Sequence, residues 1–319
     1  MAQKIIIDAD PGIGDALALA VALFDSELDV LGVTATAGTV SGPVAARNAQ
    51  AIVEALDPPK WPRLGCSDAE QPVVDLNFGS KAFSPAALNG ESGLGDFQFA
   101  VADLHHQRES AKVMIDLVRD NPHEVTLLTL GPLTNVHLAC ERAPEFLELI
   151  RSLVCFAGSV QVGGDVTAAA EFNVYADPVA ARNVLRSPAT KTMVPLDVSR
   201  KAVLTFEQAS RLPQGEDSRV GRLLQSLLPY AFRASHQHLG LEGVRLNELV
   251  ALAAVSRPRL FATRAMDVDV ETRGELTRGM TVFDRRGIRN WQTNIEVAYE
   301  VDGQGVIDYL TGVLSRARE

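Results

Sequence analysis

The sequence predicts an α/β protein, a single open domain over residues 1–319 with a mainly parallel central sheet flanked by helices. Three observations predict it. Short β-branched runs alternate with helical runs along most of the chain. Pro and Gly mark the joints between them, as at Asp10-Pro11-Gly12 and Gly131-Pro132. No internal repeat, low-complexity tract or interdomain linker interrupts the pattern.

The elements follow in order. Lys4–Asp8 reads as a strand, Asp15–Phe24 as an apolar helix, Leu28–Ala37 as a buried strand and Ala45–Leu56 as a helix. Gln71–Asp96 is rich in Pro, Gly, Ser and Asn and reads as a long loop, functional or disordered. Alternation resumes with a helix at Ser110–Arg119, a strand at Glu124–Leu130, a helix at Leu133–Glu141 and a strand at Leu153–Phe156. Asp177-Pro178 opens a helix to Leu185, with an N-cap and a proline in the first helical position. Lys191–Leu196 is strand-like, Phe206 to His238 reads as helical, and Leu246–Val255 is a helix. Ala265–Arg285 predicts late antiparallel strands, Asn294–Tyr299 a strand and Gln304–Ser315 a final helix.

Composition narrows the function. The 46% hydrophobic and 22% charged content is that of a globular protein able to bury a large core without disulfides. Cys66, Cys140 and Cys155 form no CxxC pair and fit a reducing compartment. A formal net charge of −10 argues against nucleic-acid binding. The expected location is cytoplasmic, with no membrane association: there is no signal-like start, and no apolar run reaches the roughly 18–20 residues a membrane helix needs.

The chemistry concentrates after the first strand. Asp8, Asp10 and Asp15 fall within eight residues at a strand end, where open parallel sheets bind ligands. Asp8 and Asp10, two residues apart, are expected to share a face. Crowded carboxylates repel unless a cation or protons neutralise them, and hard oxygen ligands suit Ca²⁺ or Mg²⁺. A lone Asp at such a place reads as a helix cap, but three within eight residues shift the reading modestly toward a metal site.

The run IIIDADPGIGDALALAVAL resembles the DxDPGxDD signature of the inosine/uridine-preferring nucleoside hydrolases. GPLTNVHLA from Gly131, AAAEFNVYADPVAA from Ala168, VPLDVS from Val194 and TRGMTVFDRR from Thr277 resemble further blocks of that family, in order and across nearly the whole chain. The resemblance implies an N-ribohydrolase that takes a small-molecule nucleoside or riboside, binds one Ca²⁺ at the pocket floor and assembles as a homodimer or homotetramer. It implies metal ligation by Asp10, Asp15, the Leu130 carbonyl and Glu248, with Asp10 also the general base. It implies sugar contacts from Glu171 and Asn173 of the EFN block, an acceptor and a donor together.

The departures from the family pattern fall on the pocket. Gly14 stands where a second acid usually lies beside Asp15, and Asn247-Glu248 replaces an HD pair. Asp165, Asn89, Phe156 and Thr39 replace Asn, His, Met and Asn respectively. Asp165, Asn247, Asn89 and Phe156 are therefore expected to contact an altered substrate. Glu248 reads otherwise as an early helix acid. Asn247 cannot supply the proton that its family counterpart gives the leaving base. His236, His238 and Tyr230 are the alternative candidates, or else form a solvated helix end. Trp291 is a candidate base stacker or a packing residue. A ribonucleoside-binding homologue that has lost efficient turnover is the competing reading.

Overall fold

The computed structural model describes residues 2–72, 84–95, 97, 101, 108–215, 218–286 and 293–317. The strands are β1 Gln3–Ala9, β2 Leu28–Ala35, β3 Arg63–Gly65, β4 Thr126–Thr129, β5 Ser152–Phe156, β6 Lys191–Val194, β7 Val203–Thr205, β8 Gly243–Arg245, β9 Phe261–Met266, β10 Val268–Val270, β11 Thr281–Phe283 and β12 Ile295–Val301. Eight of them form one sheet in the order β3-β2-β1-β4-β5-β6-β12-β9. Every pairing in it is parallel except β12–β9 at the edge. This is the predicted α/β architecture, and the late antiparallel strands are present as β9, β10 and β11.

The period-two geometry of β1 builds a core on both faces of the sheet. Ile5 and Ile7 join one apolar cluster, with the helices Ile13–Phe24, Arg219–Ala234, Asn247–Ser256 and Gly303–Leu314. Ile6 joins the other, with the helices Ser110–Asp120, Thr134–Arg142 and Pro178–Leu185. The helix Asn247–Ser256 is buried continuously from Leu249 to Ala253, which explains an apolar sequence with no polar face.

The predicted helix from Phe206 to His238 is broken. A short turn, Phe206–Ala209, precedes a loop through Pro213 and Gly215, and the chain re-enters a helix at Arg219. Ser218 caps that entry by accepting from the Gly221 N–H at 3.1 Å. The helix then widens into one π turn, Ser235–Leu239. The three-residue β3 and the β7–β8 pair were not legible, because their partners are remote in sequence. Residues 73–83 and 96 of the Gln71–Asp96 loop lie outside the described residues, as does Trp291.

The helices Ile13–Phe24 and Asn247–Ser256 are tied at their C-terminal ends by Asp25, which is 5% exposed. Ser256 Oγ and Tyr309 Oη donate to Asp25 Oδ2 at 2.6 and 2.7 Å, and Arg257 Nη1 lies 3.5 Å away. Burial alone raises the Asp25 pKa, but these hydrogen bonds and the Arg257 charge outweigh it and hold the carboxyl below its ordinary value. A carboxyl depressed in the folded state stabilises the fold above its unfolded pKa and loses that contribution as pH falls through the carboxylate range. Asp25→Ala should therefore cost about 2–4 kcal/mol in urea unfolding at pH 7, with the deficit shrinking below about pH 4. An equal deficit at both pH values sinks the electrostatic account.

Candidate active site

The strand order reverses between β1 and β4: one branch runs to β2 and β3, the other to β5 and β6. Ligand crevices form outside the carboxyl ends of strands at such a point. Asp10 directly follows β1, and Leu130 directly follows β4. Both line one cavity with Asp15, Glu248, Asn173 and Glu171.

Asp10 is clamped. Its Oδ2 accepts from the Thr39 N–H at 2.5 Å. A Cβ on Gly38 would lie 2.2 Å from that oxygen, and one on Gly131 would lie 2.5 Å from Oδ1, so only glycine fits on either side. Burial pushes the Asp10 pKa up to about 6 against the pull of the Thr39 hydrogen bonds. Asp15 closes the first turn of its helix, its Oδ2 accepting from the Gly12 N–H at 2.9 Å. Among the described residues, its Oδ1 is buried without a partner. Burial, then the charges of Asp10 and Glu248, raise its pKa. Glu248, in the first turn of Asn247–Ser256, is pushed up to about 7 by burial, with Asp10 and Asp165 adding. Its carboxylate lies over Gly14, where a Cβ would be 2.0 Å from Oε2.

Asp8 corrects the expected pairing with Asp10. It is fully buried, does not line the cavity, and accepts through Oδ1 from Thr34 Oγ1 at 2.7 Å and Asn135 Nδ2 at 2.9 Å. Asn135 also donates to the Ala35 carbonyl at 2.9 Å. These two residues are framework, binding β1 to β2 and to the helix Thr134–Arg142. Asn135 was missed as a site support, although it is the Asn of GPLTN.

The EFN block is used differently from the expected donor–acceptor clamp. Asn173 spends its amide hydrogens on the Leu130 carbonyl at 2.7 Å and the Phe156 carbonyl at 3.0 Å. It thereby locks the ends of β4 and β5 and leaves Oδ1 as its free polar atom. Glu171 accepts from the Asn173, Gly158 and Val174 N–H groups at 2.9, 2.9 and 3.2 Å. Burial, with Asp165 nearby, nevertheless pushes its pKa up to about 8.

The cavity rim collects the remaining expected contacts. Asp165 Oδ1 accepts from the Phe172 N–H at 2.8 Å, and burial raises its pKa against the opposing charge of Arg200. Asn89 accepts from the Ile13 N–H at 2.9 Å and seats its loop over Gly12. Phe156 and Asn247 line the cavity, and the Asn247 Oδ1 is buried without a partner. His236, His238 and Tyr230 are not brought to it. His236 is exposed and pairs with Glu242 at 3.3 Å. His238 sits exposed on the same π turn. Tyr230 lies under the Arg233 guanidinium at 5.0 Å and beside Gly95.

Among the described residues, no three His, Cys, Asp or Glu side chains already stand in metal-holding geometry. The donor set still suits a hard cation: carboxylates raise one another's pKa, and a buried Asp15 oxygen lacks a partner.

Fold and pocket thus define an α/β protein with an acidic, amide-lined cavity at the switch point of a parallel sheet. The chain belongs to the inosine-uridine preferring nucleoside hydrolase family, whose profile matches residues 5–308; these are N-ribohydrolases. It is 36% identical over 321 residues to the non-specific ribonucleoside hydrolase RihC of Escherichia fergusonii, covering 99% of this chain and 100% of that one. Its fold matches a plant nucleoside hydrolase, PpNRh1, with TM-score 0.86 and 27% identity over 98% of this chain and 99% of that one. A purine-preferring ribonucleoside hydrolase from Gardnerella vaginalis matches with TM-score 0.87 and 26% identity over 99% of each chain. Among the described residues, no helix is long and apolar enough to cross a membrane.

Proposed function

We propose that this chain hydrolyses the N-glycosidic bond of a ribonucleoside or related riboside, with Asp10, Asp15, the Leu130 carbonyl and Glu248 holding one Ca²⁺. The observation that carries the reading is the convergence of three carboxylates on one cavity, with Asp15 Oδ1 unsatisfied. Calcium bound there would supply Lewis acidity toward the sugar hydroxyls and the attacking water.

The protein's own groups do the rest. Asp10, fixed by Thr39 and flanked by Gly38 and Gly131, takes the proton of that water. Asp15 and Glu248 present negative charge to a sugar that becomes cationic as the base departs. The Asn173 Oδ1 and Glu171 accept from sugar hydroxyls, and their backbone hydrogen bonds hold them rigid. Asn247 meets the leaving base as a hydrogen-bonding amide rather than as an acid. That residue also favours the second reading, a binder without turnover, and base release decides between the two.

Exhaustive chelation should lower base release by roughly three orders of magnitude, restored by Ca²⁺. Unchanged turnover with metal loss confirmed by elemental analysis defeats the calcium assignment.

A further inference from the structure

A second cavity of about 370 Å³ opens beside the carboxylate pocket. The two share Leu88, Asn89, Asp165, Asn247 and Glu248, so they adjoin. The second contains two arginines. Arg200 follows the helical turn Leu196–Ser199 beyond β6, and Arg245 ends β8. They are distant in sequence and meet only because β8 pairs with β7, which follows Arg200 in the chain.

The pair is unequally committed. Arg200 Nη2 donates to the Gly164 carbonyl at 3.0 Å, which fixes its guanidinium at the cavity wall. Arg245 is half-buried, and among the described residues it makes no ion pair or side-chain hydrogen bond. Burial and the Arg200 charge push its pKa down, and Asp165 is the acid that opposes them. Asp165 already accepts from the Phe172 N–H. Glu248 also lines the cavity, its carboxylate over Gly14, and makes no ion pair with either arginine among the described residues. Two guanidiniums therefore share a partly desolvated space with two carboxylates, and Arg245 pairs with neither. A fork-shaped cation without a partner is a ready bidentate site for phosphate or carboxylate. In a chain of net charge −10, this is a local concentration of positive charge directly beside the sugar pocket.

We propose that Arg200 and Arg245 form an anion subsite, so that the preferred ligand is a riboside carrying a phosphate or carboxylate group. The sugar part of this statement rests on the hydrolase reading above; the anion part does not. The anion belongs either to the sugar, as a 5′-phosphate, or to the base, as a ring carboxylate.

The test has two arms at saturating Ca²⁺. In the first, base release is measured from uridine, uridine 5′-monophosphate and orotidine. In the second, calorimetry compares ribose with ribose 5-phosphate. Both arms use the native protein, Arg245→Gln and Arg245→Lys. One anionic riboside should exceed uridine in kcat/KM by at least about tenfold, as charge-assisted hydrogen bonds imply. Arg245→Gln should bring that ratio near one, and Arg245→Lys should keep part of it. Preference for the monophosphate places the anion on the sugar, and preference for orotidine places it on the base. Equal rates on all three, with ribose 5-phosphate binding no tighter than ribose, overturn the subsite and leave the hydrolase reading standing. No release from any riboside, together with tighter ribose 5-phosphate binding that Arg245→Gln abolishes, upholds the subsite and removes the hydrolase reading.

Discussion

Asp10→Asn should lower base release at least about a thousandfold while leaving the metal-free fold as stable as the native one, or more so. The two halves of this expectation have separate causes. Asparagine has nearly the same shape as aspartate, so it fits between Gly38 and Gly131 and still accepts from the Thr39 N–H. What it lacks is a charge that buried neighbours already resist: Asp10 raises the pKa values of both Asp15 and Glu248. Removing it relieves repulsion in the absence of metal and removes the proposed proton acceptor. Thermal unfolding in chelator, with and without added calcium, separates the effects. The native protein should gain stability on adding Ca²⁺, and the variant should gain much less. Activity within tenfold of native in Asp10→Asn takes Asp10 out of its role.

Gly14→Ala is the second large effect, and it arises from a position whose own side chain does nothing. The added Cβ would lie 2.0 Å from Glu248 Oε2, so the carboxylate must move. Moving the end of a flexible side chain is cheap for the fold, and alanine improves on glycine inside a helix by about 1 kcal/mol. It is expensive for the pocket, because the carboxylate that moves is the one acting on Asp15. Calcium affinity by calorimetry should fall at least tenfold, and kcat/KM by roughly a hundredfold, with the melting temperature in chelator not lowered. Adding Glu248→Asp, which shortens the reach by one methylene, should recover part of the affinity. Native calcium affinity in Gly14→Ala would falsify the proposed link between these two positions.

That link marks the limit of what the sequence discloses. The alternation of β-branched and helical runs, with Asp10-Pro11-Gly12 and Gly131-Pro132 as stops, was enough to place the first sheet strands and the crevice above them. It was local information, and local rules read it. Asp8 was grouped with Asp10 because period-two geometry puts them on one face. Nothing local says that Thr34 and Asn135 claim the Asp8 carboxylate. Glu171 and Asn173 were found through the EFN block, but their hydrogen bonds to the ends of β4 and β5 depend on strands already assembled. His236, His238 and Tyr230 were drawn in by a helical stripe that seemed unbroken past Pro213. The π turn and the helix before it carry them to the surface or against the Gly95 loop instead. Arg200 and Arg245 carried no signal at all, since isolated arginines in a sequence read as surface.

The Asp25 junction gives the site its gauge. The helices Ile13–Phe24 and Asn247–Ser256 lie against each other, start at the pocket and finish at the same Ser256–Tyr309–Arg257 knot. They behave as a pair of callipers: the pivot is Asp25, and the jaws are Asp15 and Glu248. Slipping one arm by a single residue would shift its jaw by about 1.5 Å and turn it by about 100°. The opening between the jaws is thus set at the opposite ends of the two helices, by residues outside the pocket.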